Sequence, residues 1–239
     1  DYWSASWQPV GKSLDVYKSE CHHGTAYTKM YAEYSDIKSE VLYYVPLNKT
    51  HEVWKVRVTN NSDKPRNLSA IGYCEFTNDC NYEQDQVNLQ YTLFITRTYF
   101  MDNNKILQVI NENVEKAEIN GSKANRRFFA LAGSDVASYC GDKEEFLGRY
   151  HGYGNKLNYN SNACGGLQTK FTLAPGESKD FAFIVGMKDN DAANAVIAGY
   201  ADPDAACQKE LDELIEYWHS KLNNFQVHTP SDSFNNMVN

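Results

Sequence analysis

The sequence predicts a mainly β protein, a large antiparallel β-sandwich followed by a helical segment. From Ala26 to about Gly186, apolar residues recur at every second position, which is the period of strands with one buried face. Turn segments rich in Asn, Asp, Gly and Pro separate these stretches. After Asn190 the apolar residues recur at three- and four-residue steps, as on one face of a helix. We therefore expect a β-sandwich domain over residues 1–187 and a helical segment over residues 188–239.

The first strands show the alternation most clearly. In one strand the residues expected on a common face are Ile37, Ser39, Val41, Tyr43, Val45 and Leu47, opposite Lys38 and Glu40. In the next strand, Trp54, Val56 and Val58 alternate with Lys55, Arg57 and Thr59. Residues 60–65 are predicted to form a turn, because Asn and Asp side chains hydrogen-bond to nearby backbone and tolerate left-handed geometry. The next strand is predicted over residues 68–76.

The later strands are predicted at similar spacing. They cover residues 88–100, 106–111, 127–133, 167–173 and 179–186, and a tight turn at residues 174–177 joins the last two. Residues 138–166, in contrast, are rich in Gly, Asn and Tyr and show little periodicity. A segment of that kind is usually a functional or interface loop, and we expect one there.

The helical segment contains one strongly amphipathic helix. Asp202 is expected to cap its start, with Pro203 in the first turn. Its apolar stripe consists of Leu211, Leu214, Ile215, Trp218, Leu222 and Phe225. A shorter helix is expected over residues 190–201, and another begins after residue 232 with Phe234, Met237 and Val238 as its apolar positions. The aromatic-rich start of the chain and its uncapped end both suggest a domain cut from a longer protein.

The composition excludes several classes of partner. A net charge of −8 opposes sequence-independent binding to nucleic acid or to an anionic membrane. No apolar run approaches the length of a membrane-spanning helix. The six cysteines show no paired spacing, and a chain of 239 residues can build its own core. We therefore expect reduced thiols in a cytoplasmic protein.

No motif marks a catalytic or metal centre. His22 and His23 are adjacent, so on a strand they point to opposite faces, and no second ligand pair occurs; we expect no metal site. A glycosidase would need two opposed carboxyl groups. The available carboxylates are Asp79, Glu83, Asp85, Asp142, Glu144 and Glu145. No spacing pairs them, so we expect solvated loop charges, and a hydrolase with an unmarked pair stays open as an alternative.

Several short phrases occur in a fixed order along most of the chain. They are Trp3–Val10, Cys21–Gly24 with Tyr27–Thr28, Tyr44–Leu47, Val53–Val56, Thr59–Pro65, Phe146–Tyr150 and Ala174–Glu177. Together they resemble the amino-terminal region of glycoside hydrolase family 94. Each phrase alone is weak, but the ordered set is specific. Members of that family are cellobiose, chitobiose, cellodextrin and laminaribiose phosphorylases.

The resemblance implies a β-supersandwich, then a helical linker, then an (α/α)6 barrel that carries the catalytic Asp beyond Asn239. Such enzymes cleave a β-glycosidic bond with inorganic phosphate and invert the anomeric centre, which gives an α-sugar 1-phosphate. The Asp protonates the leaving oxygen while phosphate attacks the opposite face, so phosphate replaces the base-activated water of an inverting hydrolase. The resemblance implies no metal and no organic cofactor, since phosphate is a co-substrate, and no catalytic residue within this chain.

The resemblance also implies a homodimer in which the sandwich of one subunit approaches the barrel of the other, where β-linked oligosaccharide and phosphate bind. A family loop with an Asn-aromatic-Gln-Arg phrase resembles residues 88–91, so Asn88, Gln90 and Tyr91 are candidate contacts to the acceptor sugar in the neighbouring subunit. Leu89 stands in place of the aromatic residue and Tyr91 in place of the arginine. These differences suggest an acceptor site unlike that of typical cellobiose or chitobiose enzymes, and the substrate could be of the cellodextrin or the laminaribiose type. The residues expected near the dimer contact are Arg126, Arg127, Arg149 and Tyr150.

A stand-alone carbohydrate-binding module is the alternative from a different class. It would need an exposed aromatic platform on which a sugar ring could stack. The four tryptophans, Trp3, Trp7, Trp54 and Trp218, are instead expected to pack within the fold. The sequence therefore favours the sandwich domain of a phosphorylase.

Overall fold

The computed structural model describes residues 1–77, 86–87, 93–110, 126–148, 155, 157 and 161–238. Within these residues the chain forms two antiparallel sheets and four helices. The strands are β1 (Lys18–Gly24), β2 (Tyr27–Tyr34), β3 (Ile37–Tyr44), β4 (His51–Asn60), β5 (Arg66–Glu75), β6 (Thr96–Met101), β7 (Lys105–Ile110), β8 (Arg126–Ala132), β9 (Ser138–Asp142), β10 (Ala163–Leu173) and β11 (Ser178–Gly186). The helices are α1 (Lys143–Leu147), α2 (Asn190–Ala198), α3 (Pro203–Leu222) and α4 (Asp232–Val238). The predicted mainly β fold is confirmed.

Eight of these strands form one large sheet, in the order β1-β2-β3-β4-β11-β8-β7-β6, and the small sheet has the order β5-β10-β9. The late strand β11 lies between β4 and β8. On one side it pairs with β4 along its whole length, from Ser178 opposite Thr59 to Gly186 opposite His51. On the other side it pairs with β8, where Ile184 lies opposite Ala130. β11 therefore joins the two halves of the large sheet.

The centre of the large sheet is buried on both faces. In β11, Phe181 and Phe183 pack toward the small sheet, whereas Ala182 and Ile184 pack toward the helices. None of these four side chains is more than 3% exposed. Strands buried on both faces have apolar residues at consecutive positions and lose the strict alternation. Residues 128–132 of β8 show this composition, and all five are buried.

Aromatic rings fill the space between the two sheets. The rings of Phe129 and Phe183 stack with their centroids 5.5 Å apart, and the Trp54 ring packs against Phe129 at 5.4 Å. Gly72 in the small sheet permits this approach, since a Cβ at that position would lie 2.6 Å from the Phe183 ring. Large buried rings contribute strongly to the hydrophobic stabilisation of a core.

Helices α2 and α3 cover the other face of the large sheet. The start of α3 is as predicted, because the Asp202 side chain accepts a hydrogen bond from the backbone N–H of Ala205 at 3.2 Å, with Pro203 in the first turn. Leu211 and Leu214 are buried against the sheet. The fold thus has three layers: small sheet, large sheet and helices.

A charged cluster joins the start of α3 to the large sheet. Lys55 and Arg57 of β4 contact the Asp180 carboxylate of β11 at 2.9 Å and 2.8 Å. Both cations also contact Asp204 in the first turn of α3. The hydrogen bond from Lys55 lowers the pKa of Asp204, and a carboxylate in this position also interacts favourably with the helix dipole. These contacts fix where α3 begins relative to the sheet.

A buried lysine of the large sheet likewise links helix α2 to the sheet through polar contacts. The Lys105 ammonium is fully buried and donates to Asp102 at 2.7 Å and to Asn194 of α2 at 2.6 Å. A buried charge is tolerated only when hydrogen-bonded partners replace the lost water. Lys105 therefore ties the turn between β6 and β7 to α2.

The structure corrects the prediction for several strands. β1 is absent from the prediction because residues 18–24 are exposed on both faces and carry no alternation. Residues 93–95 form a turn where a strand is predicted, and β6 begins only at Thr96. Residues 138–166 are not one loop, because β9, α1 and the start of β10 lie there.

Several residues that were predicted to be buried on apolar faces are exposed in the structure. Conversely, one face of β3 that was predicted to be polar is partly buried. Val45 lies beyond the end of β3 and is 49% exposed. At the end of α3, Leu222 and Phe225 are 38% and 68% exposed. On β3 the face that carries Lys38 and Glu40 also carries Leu42 and Tyr44, which are buried in the layer between the sheet and the helices.

The two ends of the sandwich differ in their connections. At one end short turns join the strands, at residues 35–36, 61–65, 102–104, 133–137 and 174–177. At the other end β3, β5, β7 and β9 end and β4, β6, β8 and β10 begin, and the tight β1–β2 turn at residues 25–26 lies there too. In sequence, the connections between these strand ends are residues 45–50, 76–95, 111–125 and 143–162. We call these the turn end and the connection end. No helix in the described ranges combines the length and apolarity that a bilayer crossing requires.

Replacing Phe129 with Ala is expected to lower the free energy of unfolding by about 3–5 kcal/mol, because the change leaves a cavity between the two sheets. Urea denaturation monitored by circular dichroism measures the loss. Phe225→Ala is the matched control, since the Phe225 ring is 68% exposed and its removal is expected to cost less than about 0.5 kcal/mol. Equal losses in the two variants would contradict the assignment of Phe129 to the core.

Candidate functional site

The connection end carries an open cleft of about 380 Å³ between the two sheets. Its charged lining comes from Glu52 at the start of β4, Glu75 at the end of β5 and Arg127 at the start of β8, and its uncharged polar lining includes His51 and Thr77. Phe76 and Val185 contribute apolar surface. Pockets of this size and mixed character are common ligand or partner sites. The cleft is the candidate functional site.

Both carboxylates of the cleft are already engaged by neighbouring donors. Glu52 accepts a hydrogen bond from the indole N–H of Trp54 at 2.6 Å. Glu75 accepts from the Lys143 ammonium at 2.7 Å and from the Tyr73 hydroxyl at 3.1 Å. The bond from Lys143 lowers the pKa of Glu75. A general acid for glycoside cleavage needs a raised pKa, so Glu75 is not tuned for that role.

A buried glutamine lies directly beneath the cleft. Gln108 of β7 is fully buried, and its Nε2 donates to the backbone carbonyl of Thr77 at 2.6 Å. Its Oε1 lies 3.4 Å from an Arg127 guanidinium nitrogen that donates to it. On β6, the Arg97 guanidinium donates to the carbonyl oxygens of Phe94 at 3.1 Å and of Thr96 at 2.7 Å. The Gln108 bond fixes the chain just after β5, and the Arg97 bonds fix it at the start of β6.

A second polar network begins at His51, which lines the cleft, and continues on the helix-covered face of the large sheet. His51 is 6% exposed, and its Nε2 lies 3.0 Å from the Tyr200 hydroxyl. The hydroxyls of Tyr200 and Tyr44 donate to the Glu210 carboxylate at 2.8 Å and 2.6 Å. Since the Tyr200 proton points to Glu210, the His51 Nε2 carries the proton and donates to the Tyr200 oxygen. Burial, together with the nearby lysines 49 and 188, lowers the pKa of His51 to about 4.

The predicted site residues fall into two groups. Arg127 lines the cleft, and the neighbouring Arg126 is half-buried on the opposite face of β8, because adjacent strand residues alternate. The remaining candidates lie outside the described residues: Asn88, Gln90, Tyr91, Arg149 and Tyr150. The segments that carry them leave the described fold at the connection end, after Thr77 and after Gly148.

The carboxylate prediction is wrong for Asp142. This residue is 4% exposed and caps α1, where it accepts from the Glu145 backbone N–H at 3.0 Å and from the Ser161 hydroxyl at 2.6 Å. Its side chain is therefore a structural acceptor. Glu144 is exposed, as expected. Asp79, Glu83 and Asp85 lie outside the described residues.

Gln108 is the residue that the sequence prediction missed. It is the one uncharged polar residue in β7, between Leu107 and Val109. A polar amide within a run of buried apolar residues is the signal that could have identified it, because such a group must find hydrogen-bond partners.

The histidines of β1 are surface residues. His22 contacts Glu20 at 2.6 Å on one face of β1, and His23 contacts the Thr28 hydroxyl at 3.0 Å on the other. Among the described residues no group of three His, Cys, Asp or Glu side chains is arranged to hold a metal ion. The five cysteines in these ranges are free thiols.

The tryptophans mostly pack within the fold, as predicted. Trp3 contacts the rings of Tyr17 and Tyr34 at 6.0 Å and 6.2 Å, and Trp218 packs against the core beneath α3. Trp7 departs from the prediction, because it is 37% exposed. Its indole N–H donates to the Lys12 carbonyl at 2.9 Å within the surface segment before β1.

The sequence of this chain matches a known protein family and several characterised relatives. The family model described as "Glycosyl hydrolase 94, supersandwich domain" matches residues 1–203. N,N'-diacetylchitobiose phosphorylases of Vibrio furnissii and Vibrio proteolyticus are each 32% identical over all of this chain. A solabiose phosphorylase of Paenibacillus borealis is 24% identical, again over all of the chain. The chain spans 30% of the length of the two Vibrio proteins and 31% of the Paenibacillus protein.

Acidification is expected to destabilise the fold through His51. The pKa of His51 in the folded protein is about 4, below the ordinary value of 6.5. Between pH 6.5 and pH 4 the unfolded chain therefore binds more protons at this residue than the folded protein does. The free energy of unfolding consequently falls as the pH falls through this range. From pH 7 to pH 4 the contribution of His51 is about 2–3 kcal/mol.

Urea denaturation of the wild type and of His51→Gln at both pH values isolates this contribution. The variant cannot titrate at this position, so its stability is expected to depend less steeply on pH. Identical pH dependence in the two proteins would contradict a depressed pKa for His51.

Proposed function

The chain belongs to the glycosyl hydrolase 94 family through its supersandwich domain, and from that membership we propose that it is the non-catalytic sandwich part of an inverting glycoside phosphorylase. The single observation that carries the proposal is the family match over residues 1–203. The relatives that extend this match over the whole chain are phosphorylases of disaccharides by name. The substrate class proposed is a β-linked gluco-oligosaccharide together with inorganic phosphate.

The proposed reaction breaks the bond between the anomeric carbon and the glycosidic oxygen. A phosphate oxygen forms the new bond from the opposite face of the sugar ring, while a carboxylic acid gives its proton to the leaving oxygen. The products are an α-sugar 1-phosphate and the shortened saccharide. In this proposal the acid is an Asp of an (α/α)6 barrel outside this chain, phosphate is the co-substrate, and no metal or organic cofactor takes part.

The chemistry of the cleft supports a non-catalytic role for the sandwich. Glu75 is paired with Lys143 and its pKa is lowered, so it would hold a proton poorly at neutral pH. Glu52 accepts a hydrogen bond from the Trp54 indole N–H. A general acid at neutral pH would instead need an environment that favours its protonated form.

We further propose that the connection end faces a second copy of the protein. In this arrangement residues 76–95 approach the acceptor sugar of the neighbouring subunit, and Asn88, Gln90 and Tyr91 contact it. The Gln90 amide suits a sugar hydroxyl because it both donates and accepts. The residues proposed near the dimer contact are Arg126, Arg127, Arg149 and Tyr150. The support is topological: the long connections and the cleft gather at one end of the sandwich, where Arg127 lies.

The remaining parts of the proposal concern organisation and location. We assign residues 1–187 to the sandwich domain and residues 188–239 to the start of a helical linker that leads to the barrel. A cytoplasmic location agrees with the free thiols of the described cysteines.

The chain of 239 residues alone is expected to release no sugar 1-phosphate from cellobiose, laminaribiose or N,N'-diacetylchitobiose in the presence of phosphate. A longer protein that carries the barrel is expected to convert one of these sugars, with one α-sugar 1-phosphate formed per phosphate consumed. Phosphorus NMR measures both the yield and the anomeric configuration.

Sugar 1-phosphate formation by the chain alone would contradict the non-catalytic role. Hydrolysis that does not need phosphate would favour the hydrolase with an unmarked carboxylate pair. Saturable quenching of tryptophan fluorescence by the same sugars, without turnover in the longer protein, would favour a carbohydrate-binding module.

A further inference from the structure

β1 is an edge strand of the large sheet, and its outer side is open. It pairs with β2 alone, in a register that runs from Lys18 opposite Glu33 to Gly24 opposite Tyr27. Six of its seven residues are exposed. Among the described residues, no backbone group of residues 18–24 forms a hydrogen bond outside the pairing with β2. An edge strand of this kind can accept a further strand.

The β1–β2 turn determines which backbone groups of β1 point outward. Only residues 25 and 26 separate Gly24 from Tyr27, so these two residues form the hydrogen-bonded pair that closes the hairpin. Hydrogen-bonded positions alternate along an antiparallel pair, so every second residue from Gly24 back to Lys18 bonds to β2. The groups that face the open edge are consequently the N–H and carbonyl groups of Ser19, Cys21 and His23.

β1 lacks most of the features that usually protect an exposed edge. Such strands contain a proline or a bulge, or a loop or helix covers them. β1 has no proline, its pairing with β2 has no register shift, and its one lysine lies at its first position. Both faces of the strand are exposed. Another strand can therefore approach β1 along its length.

We propose that β1 pairs antiparallel with β1 of a second copy, about a two-fold axis that passes beside Cys21. Cys21 then faces Cys21 of the second copy, and Ser19 faces His23 in both directions. Each of these three facing positions exchanges two backbone hydrogen bonds. An axis at Glu20 or at His22 leaves only two such positions, so the axis at Cys21 gives the most bonds. This contact goes beyond the proposed function, whose dimer contact lies at the connection end.

The side chains of β1 favour the same register. Glu20 and His22 lie on one face of the strand, and the Glu20 carboxylate accepts from the His22 Nε2 at 2.6 Å. In the proposed pairing Glu20 lies opposite His22 of the second copy, at a position where side chains approach closely. Two carboxylates and two imidazoles then alternate around the axis. An axis at Glu20 would instead place two carboxylates opposite each other, which is unfavourable.

Sedimentation velocity of the 239-residue chain over a range of concentrations measures this association. A single strand pair is smaller than a stable protein interface, so a weak monomer–dimer equilibrium is expected at about 10 µM to 1 mM protein. Glu20→Lys and His22→Glu each place groups of like charge tendency opposite each other, and each is expected to raise the Kd about tenfold. The double variant exchanges the two charges, so its Kd is expected to return to within about threefold of the wild type.

Glu213→Lys is the matched control for the charge variants. Glu213 is also an exposed carboxylate, on α3, where it lies 3.9 Å from the Lys209 ammonium. Its replacement changes the net charge as Glu20→Lys does, but away from the edge of the sheet. The Kd is therefore expected to stay within about twofold of the wild type.

Cys21→Pro tests the backbone contact. Proline removes the N–H that points to the open edge, and an edge strand tolerates proline at such a position, so the fold is expected to be retained. The Kd is expected to rise at least about tenfold. Cys21→Ser keeps the N–H and is expected to associate within about twofold of the wild type.

Cross-linking through Cys21 reports the register. Two residues that face each other at a hydrogen-bonded position have their Cα atoms about 5.5 Å apart, which a disulfide can span. Oxidised glutathione is expected to join the two Cys21 thiols, with two molecules of reduced glutathione released for each disulfide. Mass spectrometry of peptides identifies the Cys21–Cys21 link, which Cys21→Ser cannot form.

Several outcomes would overturn the proposal. A chain that stays monomeric to about 1 mM would contradict the association. Growth beyond a dimer would contradict two-fold pairing, since pairing with a different edge gives open-ended assemblies. A dimer that persists unchanged in Cys21→Pro and in both charge variants would place the contact elsewhere, as the connection-end dimer would. Association without the Cys21–Cys21 link would contradict the register.

Discussion

The pairing of β11 with β8 is the constraint on which the rest of the structure depends. These strands lie at the centre of the large sheet and are buried on both faces, so each needs a cover on each side. The small sheet covers the face that carries Phe181 and Phe183, and α2 and α3 cover the face of Ala182 and Ile184. Removing either cover would expose the sheet centre to water. The three layers therefore form one cooperative unit.

The same hydrogen-bonding device operates at both ends of that unit. At the turn end the buried amide of Asn60 donates to the carbonyls of Lys64 and Ala174 in two neighbouring turns and of Leu173 at the end of β10. At the connection end the buried amide of Gln108 binds the chain where it leaves β5. The N–H₂ group of each amide donates to backbone carbonyls, whereas the amide oxygen accepts from Ser62 in the case of Asn60 and from Arg127 in the case of Gln108. The turn end and the connection end are thus separately fixed to one rigid core.

The sequence predicted strands with one buried face, such as β4, and also β8 and β11, which are buried on both faces. The alternation of Trp54, Val56 and Val58 identified β4, and the cap at Asp202 identified the start of α3. β1 could not be found this way because both of its faces are exposed. Asp142 resembled a loop charge because its burial as a helix cap depends on Ser161, nineteen positions away. Arg127 could be proposed from its resemblance to a family phrase, whereas the role of Gln108 follows only from the register that brings β7 beneath Thr77.

Gly72 sets the thickness of the sandwich at its centre, because the Phe183 ring occupies the space where a side chain at that position would lie. Any larger residue would act as a spacer between the sheets and would have to displace the ring or push β5 outward. Glu75 and Thr77 belong to the same strand and its immediate extension, so they would move with it. The shape of the cleft therefore depends on Gly72, a residue of the core that does not line the cleft.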